Sequence, residues 1–437
     1  MSPRKLDPFG GVSLVVGSIL GSGIFIAPSL IASFSANLWI FAAIWIVGGL
    51  VCTAGALIYG GLGLMYPQGG GQYVYLRESM GSRYAGFYGW VSMLVICPTM
   101  LAGTSLFFTE LCKSVLPSSA PYSRAIAVGL LVFFTYLNTL GLRLAGGIQK
   151  FLVAVHVALF LAVVALSFWF LPNVQLPAWS AAPFTFSLSK MILAIAAVLW
   201  SFEGFNSITF VTNEVEGGER NVRRIALWGC FVVLVLYLIF NLVTLANVPA
   251  TILMGQPNAA SYLMAQVFGA RASWIVFGLT VLGVATVLHS SIIIGPRIIA
   301  ATVADGTVAR SLADVDPRTG SPFRALWFQC AMATFYVLVG HFDSLITAFI
   351  VLNWLFYGLT AIGYLRVRLR SIPSNGRLVA DFACVGLFCA MVVVLLVSQL
   401  LDNTSIALIG FAAFAIGLYA PIPRLNSVTF IRRAESR

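Results

Sequence analysis

Two stretches of this chain place chemistry where an apolar run would otherwise continue. In GGVSLVVGSILGSGIFIAPSL, Gly21, Ser22 and Gly23 stand halfway along a hydrophobic segment, and in LWSFEGFNS the pair Glu203 and Gly204 interrupts a second one. Glycine costs roughly 1 kcal/mol in a helix interior. Such residues at mid-run mean either a face where helices pack closely, which the four-residue spacing of Gly17 and Gly21 would also fit, or a helix that breaks. A carboxylate deep in a lipid-facing run costs at least about 2.5 kcal/mol on insertion scales, so Glu203 must face a cavity, meet a partner or carry a proton.

If both are breaks, the backbone itself becomes reactive. Amides freed around Ser22, Gly23 and Ile24 form the positive end of a half-helix and can bind a carboxylate. Carbonyls left at Ile19 and Leu20, and at Trp200, Ser201 and Glu203, can accept an ammonium. A small zwitterion satisfies both sets. The remaining ionisable groups within apolar runs, His156 and His289, are isolated. Histidine titrates near neutral pH, so His156 is either a proton site or switch, or a satisfied core residue. No nucleophile and base stand at catalytic spacing, which leaves a membrane-embedded enzyme as a remote alternative. The seven cysteines show no metal-ligand spacing and mostly lie within apolar runs, where they serve packing.

The elements that must hold these groups are set by composition. The chain of 437 residues is 60% hydrophobic and 9% charged, with a mean hydropathy of +0.97, which requires lipid as its solvent. Runs long enough for helical spans, and no alternating barrel strands, predict an all-α membrane protein. Punctuation by loops predicts twelve transmembrane helices near residues 11–34, 38–65, 84–112, 123–142, 150–171, 189–213, 224–247, 273–303, 324–340, 343–366, 378–400 and 404–422. With this alternation all Lys and Arg except Lys113, Arg124, Lys190 and Arg271 fall on the side of the termini, so both termini are expected in the cytoplasm. The net charge of +11 is then a topological signal facing an anionic leaflet and requires no nucleic acid. Met1 to Gly10 lacks a small-residue cleavage site and is expected to remain attached. The glycine-, aromatic- and charge-rich segment PQGGGQYVYLRESM is expected as a short interfacial or re-entrant helix, or an ordered loop. Interruptions five spans apart point to an inverted repeat with a ligand between the unwound segments.

The motifs GSILGSGIF, PQGGGQYVYLRE, GFNSITFVTNEVEGGERNVRRI and GPRIIAATVADGTVARSLADV resemble the amino acid/polyamine/organocation superfamily, and within it the L-type amino-acid transporter group. The resemblance implies a LeuT-like fold with a 5+5 inverted-repeat core: residues 1–171 as the first repeat, 172–370 as the second with helices 1 and 6 broken, and 371–437 as two peripheral helices and a tail. It implies that Gly21, Ser22 and Gly23 hold a substrate carboxylate, that the Ile19 carbonyl takes the amine, and that Trp200 gates the site, unless it is a core or interfacial aromatic. Phe202, Gly204, Phe205 and Asn206 would line the unwound part of helix 6.

Two departures from that pattern concern mechanism. Glu203 stands where the group commonly has glycine; it would add selectivity, repel acidic substrates or carry a proton, or contribute only its backbone. His156 stands where many members carry lysine, at the level of a sodium ion in sodium-driven relatives. Ser290 and Ser291 reach the level of sodium-ligating hydroxyls, although serines bonding back to their own helix are the commoner arrangement. Sodium is therefore not expected, proton coupling is open, and no cofactor or metal is expected. The function expected from the resemblance is secondary transport of amino acids, leaning to neutral L-amino acids from the aromatic supply at Trp200, Phe202 and Phe205, by exchange or proton coupling. A polyamine or cationic amino-acid carrier is the alternative. Some L-type members join a heavy chain through a cysteine after span three; Ser114 to Tyr122 has none and Cys112 sits at the helix end, so no covalent partner is expected.

Overall fold

The computed structural model describes residues 6–21, 23–35, 37–170, 187–254, 262–265, 269, 272–370 and 375–419. Ser22, Arg4, Lys5, Arg271 and the basic tail beyond residue 419 lie outside them. The regular structure of the described residues is helical, with one isolated backbone bridge between Leu6 and Val215.

The first apolar run is two helices. Helix α1, Pro8–Ile19, is started by Asp7, whose side chain accepts from the Gly10 amide, with Pro8 at the position where a missing N–H costs nothing. It ends where Leu20 leaves helical geometry, and α2, Gly23–Phe34, resumes at an angle of 48°. Helix α3, Leu38–Met65, is capped by the Asn37 side chain and rich in glycine. A Cβ at Gly48 would strike Val198 and Phe202, and one at Gly55 would strike Phe205. Small residues on α3 therefore let the second interrupted segment lie flush against it.

The interfacial segment is helical: α4 spans Gln72–Met80 after a turn in which Gly70 and Gly71 take positive φ. Helix α5, Ser82–Val91, continues through a π-helical turn at Ser92–Ile96 into α6, Cys97–Val115. Helices α7, Ser123–Thr139, and α8, Leu142–Phe170, follow. The sixth predicted span, 189–213, is α-helical only in its first half. Helix α9 covers Leu188–Ser201, turns occupy Phe202 to Asn206, and a 3-10 helix runs over Ser207–Glu214. The remaining long helices are α10 (Glu219–Asn247), α11 (Ala272–Ala304), α12 (Phe323–Val339), α13 (Phe342–Arg370), α14 (Asn375–Asp402) and α15 (Thr404–Tyr419).

Among the described residues, eight helices are long and apolar enough to cross a membrane, nine if α1 and α2 count as one bent span; α9, α12 and α15 are shorter apolar helices. The chain is thus a multi-pass integral membrane protein. Its exterior matches: Trp39, Phe133, Phe151, Phe168 and Trp169 are exposed, as lipid-facing side chains should be.

Candidate functional site

The two interruptions meet. Gly23 packs against Ser201, where a Cβ would lie 2.6 Å from the serine Oγ, and Gly204 packs against Ser18, where a Cβ would lie 2.8 Å from the Ser18 carbonyl oxygen. Each break thus supplies a glycine to make room for the other's backbone. The Tyr237 hydroxyl on α10 lies within hydrogen-bond reach of the carbonyls of both Ile19 (3.0 Å) and Ser201 (2.8 Å), which share its one proton. One buried hydroxyl therefore serves the last carbonyls of two half-helices, groups that helix termini leave without partners.

Above this junction lies a cavity of about 400 Å³, bounded by Ile19, Gly21, Gly23, Trp200, Ser201 and Glu203 and walled on the far side by Gly283 and Thr347. It extends to Asp343 and Asp402, exposed residues at the start of α13 and the end of α14. A second cavity of about 500 Å³ lies on the amino-terminal side, among Asp7, Gln149, Lys150 and Glu214.

Residues that line the second cavity are joined to one another and to neighbouring helices by ion pairs and hydrogen bonds. Arg297 of α11 makes a two-pronged contact with Glu214, Nε to Oε1 at 3.1 Å and Nη2 to Oε2 at 3.0 Å. Lys150 of α8 binds Asp7 at 2.5 Å and holds that carboxyl below the usual carboxylate range. Leu6 exchanges backbone hydrogen bonds with Glu214 and Glu216. Arg77 pairs with Asp305 at 2.9 Å alongside.

The residues expected at the site divide. Ile19, Gly21, Gly23, Trp200, Ser201 and Glu203 bound the cavity, and Ser22 lies outside the described residues. Ile24, Phe202, Phe205 and Asn206 are buried away from its wall. Phe202 stacks among Trp45 and Tyr237, and Phe205 among Tyr59, Tyr357 and Phe388. Trp200 is half-buried and meets Phe349 edge-on.

Glu203 is tied to α13. Its Oε1 accepts from the Tyr357 hydroxyl at 2.5 Å and from the Asn353 amide at 3.1 Å, while the buried Oε2 has no partner among the described residues. His156 on α8 is buried with neither ring nitrogen hydrogen-bonded among the described residues, and its ring lies against Gly283, itself beside the Gly21 backbone. Ser290 and Ser291 both donate to the Val287 carbonyl of their own helix. His289 contacts Gln149 at 2.8 Å. Among the described residues no group of His, Cys, Asp or Glu is arranged to hold a metal ion.

Tyr237, Asn353 and Tyr357 were not legible as site residues. The available signal was weak: a polar side chain within an apolar run, which many transmembrane helices carry without function.

Residues 6–421 match the family described as amino acid permease. The chain is 28% identical to the b(0,+)-type amino acid transporter 1 of Homo sapiens over 380 residues, covering 84% of this chain and 76% of that one. It is 26% identical to the human Asc-type amino acid transporter 1, covering 84% and 72%, and 23% identical to a serine/threonine exchanger of Bacillus subtilis (strain 168), covering 81% of each.

Proposed function

Because the chain belongs to the amino acid permease family and is a transporter of amino acids rather than an enzyme, we propose that it moves them by alternating access through the junction of its two broken helices. The observation that carries this reading is the meeting of the breaks beside a cavity that reaches exposed residues, with ion pairs gathered about a second cavity. The substrate carboxylate rests on the amides that begin α2 at Gly23 and Ile24, where no preceding carbonyl competes for them. The ammonium takes lone pairs of the Ile19 and Ser201 carbonyls, which share the one Tyr237 hydroxyl proton between them. In this reading all twelve apolar segments cross the membrane as two inverted repeats, 1–171 and 172–370, followed by peripheral helices in 371–437. Both termini face the cytoplasm of a cell membrane. No covalent heavy chain is needed, and the burial of Cys112 supports that.

Purified protein in liposomes is expected to take up labelled amino acids saturably, faster when the lumen holds unlabelled amino acid or when a proton gradient is imposed. Absence of uptake across a broad amino-acid panel under both conditions would sink the proposal. Which of the two conditions accelerates uptake separates exchange from proton coupling.

The coupling site in a proton-driven cycle is His156. Two unsatisfied nitrogens in a buried ring beside the first break are costly unless one of them takes a proton or a water at some stage of transport. His156→Gln, which keeps hydrogen-bonding capacity but cannot titrate, is expected to flatten the pH dependence of uptake. A mutant with the wild-type pH profile would make the histidine structural.

A further inference from the structure

We propose that a buried polar seam between α8 and α11 is a proton path from the first break to the second cavity, and that His289 is the residue that passes the proton on. The proposal rests on the proton-driven form of the transport reading above and deepens it by naming the route.

The first observation is where the seam begins and ends. His156 lies against Gly283, which stands beside the Gly21 backbone and borders the main cavity together with it. Gln149, about two turns earlier on α8, borders the second cavity and meets His289 of α11. One end of the seam therefore touches each cavity. At a rise of about 1.5 Å per residue the two histidines stand roughly 10 Å apart along it, a span that a short chain of water bridges.

The second observation is how His289 is held. Gln149 Nε2 reaches the Thr286 carbonyl at 3.4 Å, which turns its Oε1 toward Nδ1 of His289 at 2.8 Å. An amide oxygen only accepts, so Nδ1 carries the ring proton and Nε2 keeps its lone pair. That nitrogen is buried without a partner among the described residues, as are both nitrogens of His156. A buried acceptor left unmet is destabilising, and a proton or water arriving at Nε2 relieves it.

The third observation is that α1 closes the seam. A Cβ at Gly17 would strike the Gln149 amide, and Gly21 backs onto Gly283, so the four-residue spacing of these glycines sets one at each end. Withdrawal of α1 would bare the Gln149 end first to the second cavity. Few other titratable groups face His289. α6 presents Leu101 and Ala102, α7 presents Phe134, and Cys330 of α12 sits in the same apolar cluster. The charges toward the second cavity are consumed in two ion pairs, Asp7 with Lys150 and Glu214 with Arg297.

A proton loaded on His156 from the main cavity moves through water in the seam to Nε2 of His289, while the Nδ1 proton stays bonded to Gln149. From Nε2 it leaves to water in the second cavity when α1 withdraws, and both rings end neutral.

The test uses proteoliposomes that enclose a pH-sensitive dye, in which proton entry and labelled amino-acid uptake are followed together, beside exchange against lumenal amino acid at equal pH. Wild type is expected to move protons with amino acid. His289→Gln should slow proton-coupled uptake by about tenfold or more, as for loss of a proton-transfer group, and slow exchange far less, because exchange does not require the proton to leave. Gln149→Leu, which frees the ring to take the other tautomer, should shift the ratio of the two rates in the same direction; it keeps the question decidable if His289→Gln does not fold. A ratio unmoved by both variants, including an equal loss of both rates, would overturn the proposal and make the pair structural. Wild-type uptake that moves no protons would overturn it too, with amino-acid transport left standing. Failure to transport any amino acid would instead remove the reading on which it rests.

Discussion

Replacing Gly204 with alanine is expected to cut transport by about a hundredfold. Gly204 has φ of +107°, a conformation L side chains rarely adopt, and a Cβ there would lie 2.8 Å from the Ser18 carbonyl oxygen. The strained backbone alone costs about 1–3 kcal/mol. The contact cannot be relieved by a rotamer change, because the obstructing atom is the α1 backbone. Either the second break moves away from the first or the turn refolds, and both separate the carbonyls that Tyr237 holds together. Uptake should fall by about a hundredfold, with a loss of roughly 3 kcal/mol in thermal stability of the detergent-solubilised protein. Gly278→Ala is the control, since a Cβ at that helical glycine meets nothing within 4 Å. Normal uptake by Gly204→Ala would show that the two breaks need not touch.

Arg297→Ala is expected to unlatch the amino-terminal face. The Arg297–Glu214 contact is bidentate and only partly solvated, with side-chain exposures of 14% and 25%. Bidentate guanidinium–carboxylate pairs combine charge with fixed geometry, and removing one partner leaves the other partly buried and unmatched, a cost of about 1–3 kcal/mol. That cost falls on the closed state alone, so the equilibrium shifts toward opening on that face by about tenfold. A cysteine introduced at Val211, on the edge of the second cavity, reports this. In a background cleared of native cysteines, its labelling by an impermeant thiol reagent from the amino-terminal face should rise in Arg297→Ala. Arg297→Lys, which keeps the charge but not the fork, should fall between the two. Unchanged labelling would show that the remaining contacts, Asp7 with Lys150 and Leu6 with Glu214 and Glu216, suffice to hold the face shut.

Much of this molecule is determined by its sequence alone, for a reason of energy. Hydropathy fixes that the chain lives in lipid, and its long unbroken apolar runs make it helical, because a backbone can cross only as a helix or as a closed barrel of short alternating strands. Glycines at 21, 23 and 204 and the carboxylate at 203 are visible because their cost is local: each is expensive wherever the neighbouring helices lie. Helix 1 breaks between Ile19 and Gly23 and helix 6 after Ser201, at the residues where that cost falls.

What only the tertiary structure decided is where those groups point and what they meet. Beyond Ser201 the helical period stops, so the face taken by Phe202, Glu203 and Phe205 could not be counted along the chain; the fold turns both phenylalanines into packing and ties the carboxylate to α13. Tyr237 reaches the Ile19 carbonyl across 218 positions, and Tyr357 reaches Glu203 across 154. A tyrosine in an apolar run costs little wherever its hydroxyl finds an acceptor, so nothing in its own neighbourhood marks it. Its role comes from the partner, and the partner is set by how the helices pack.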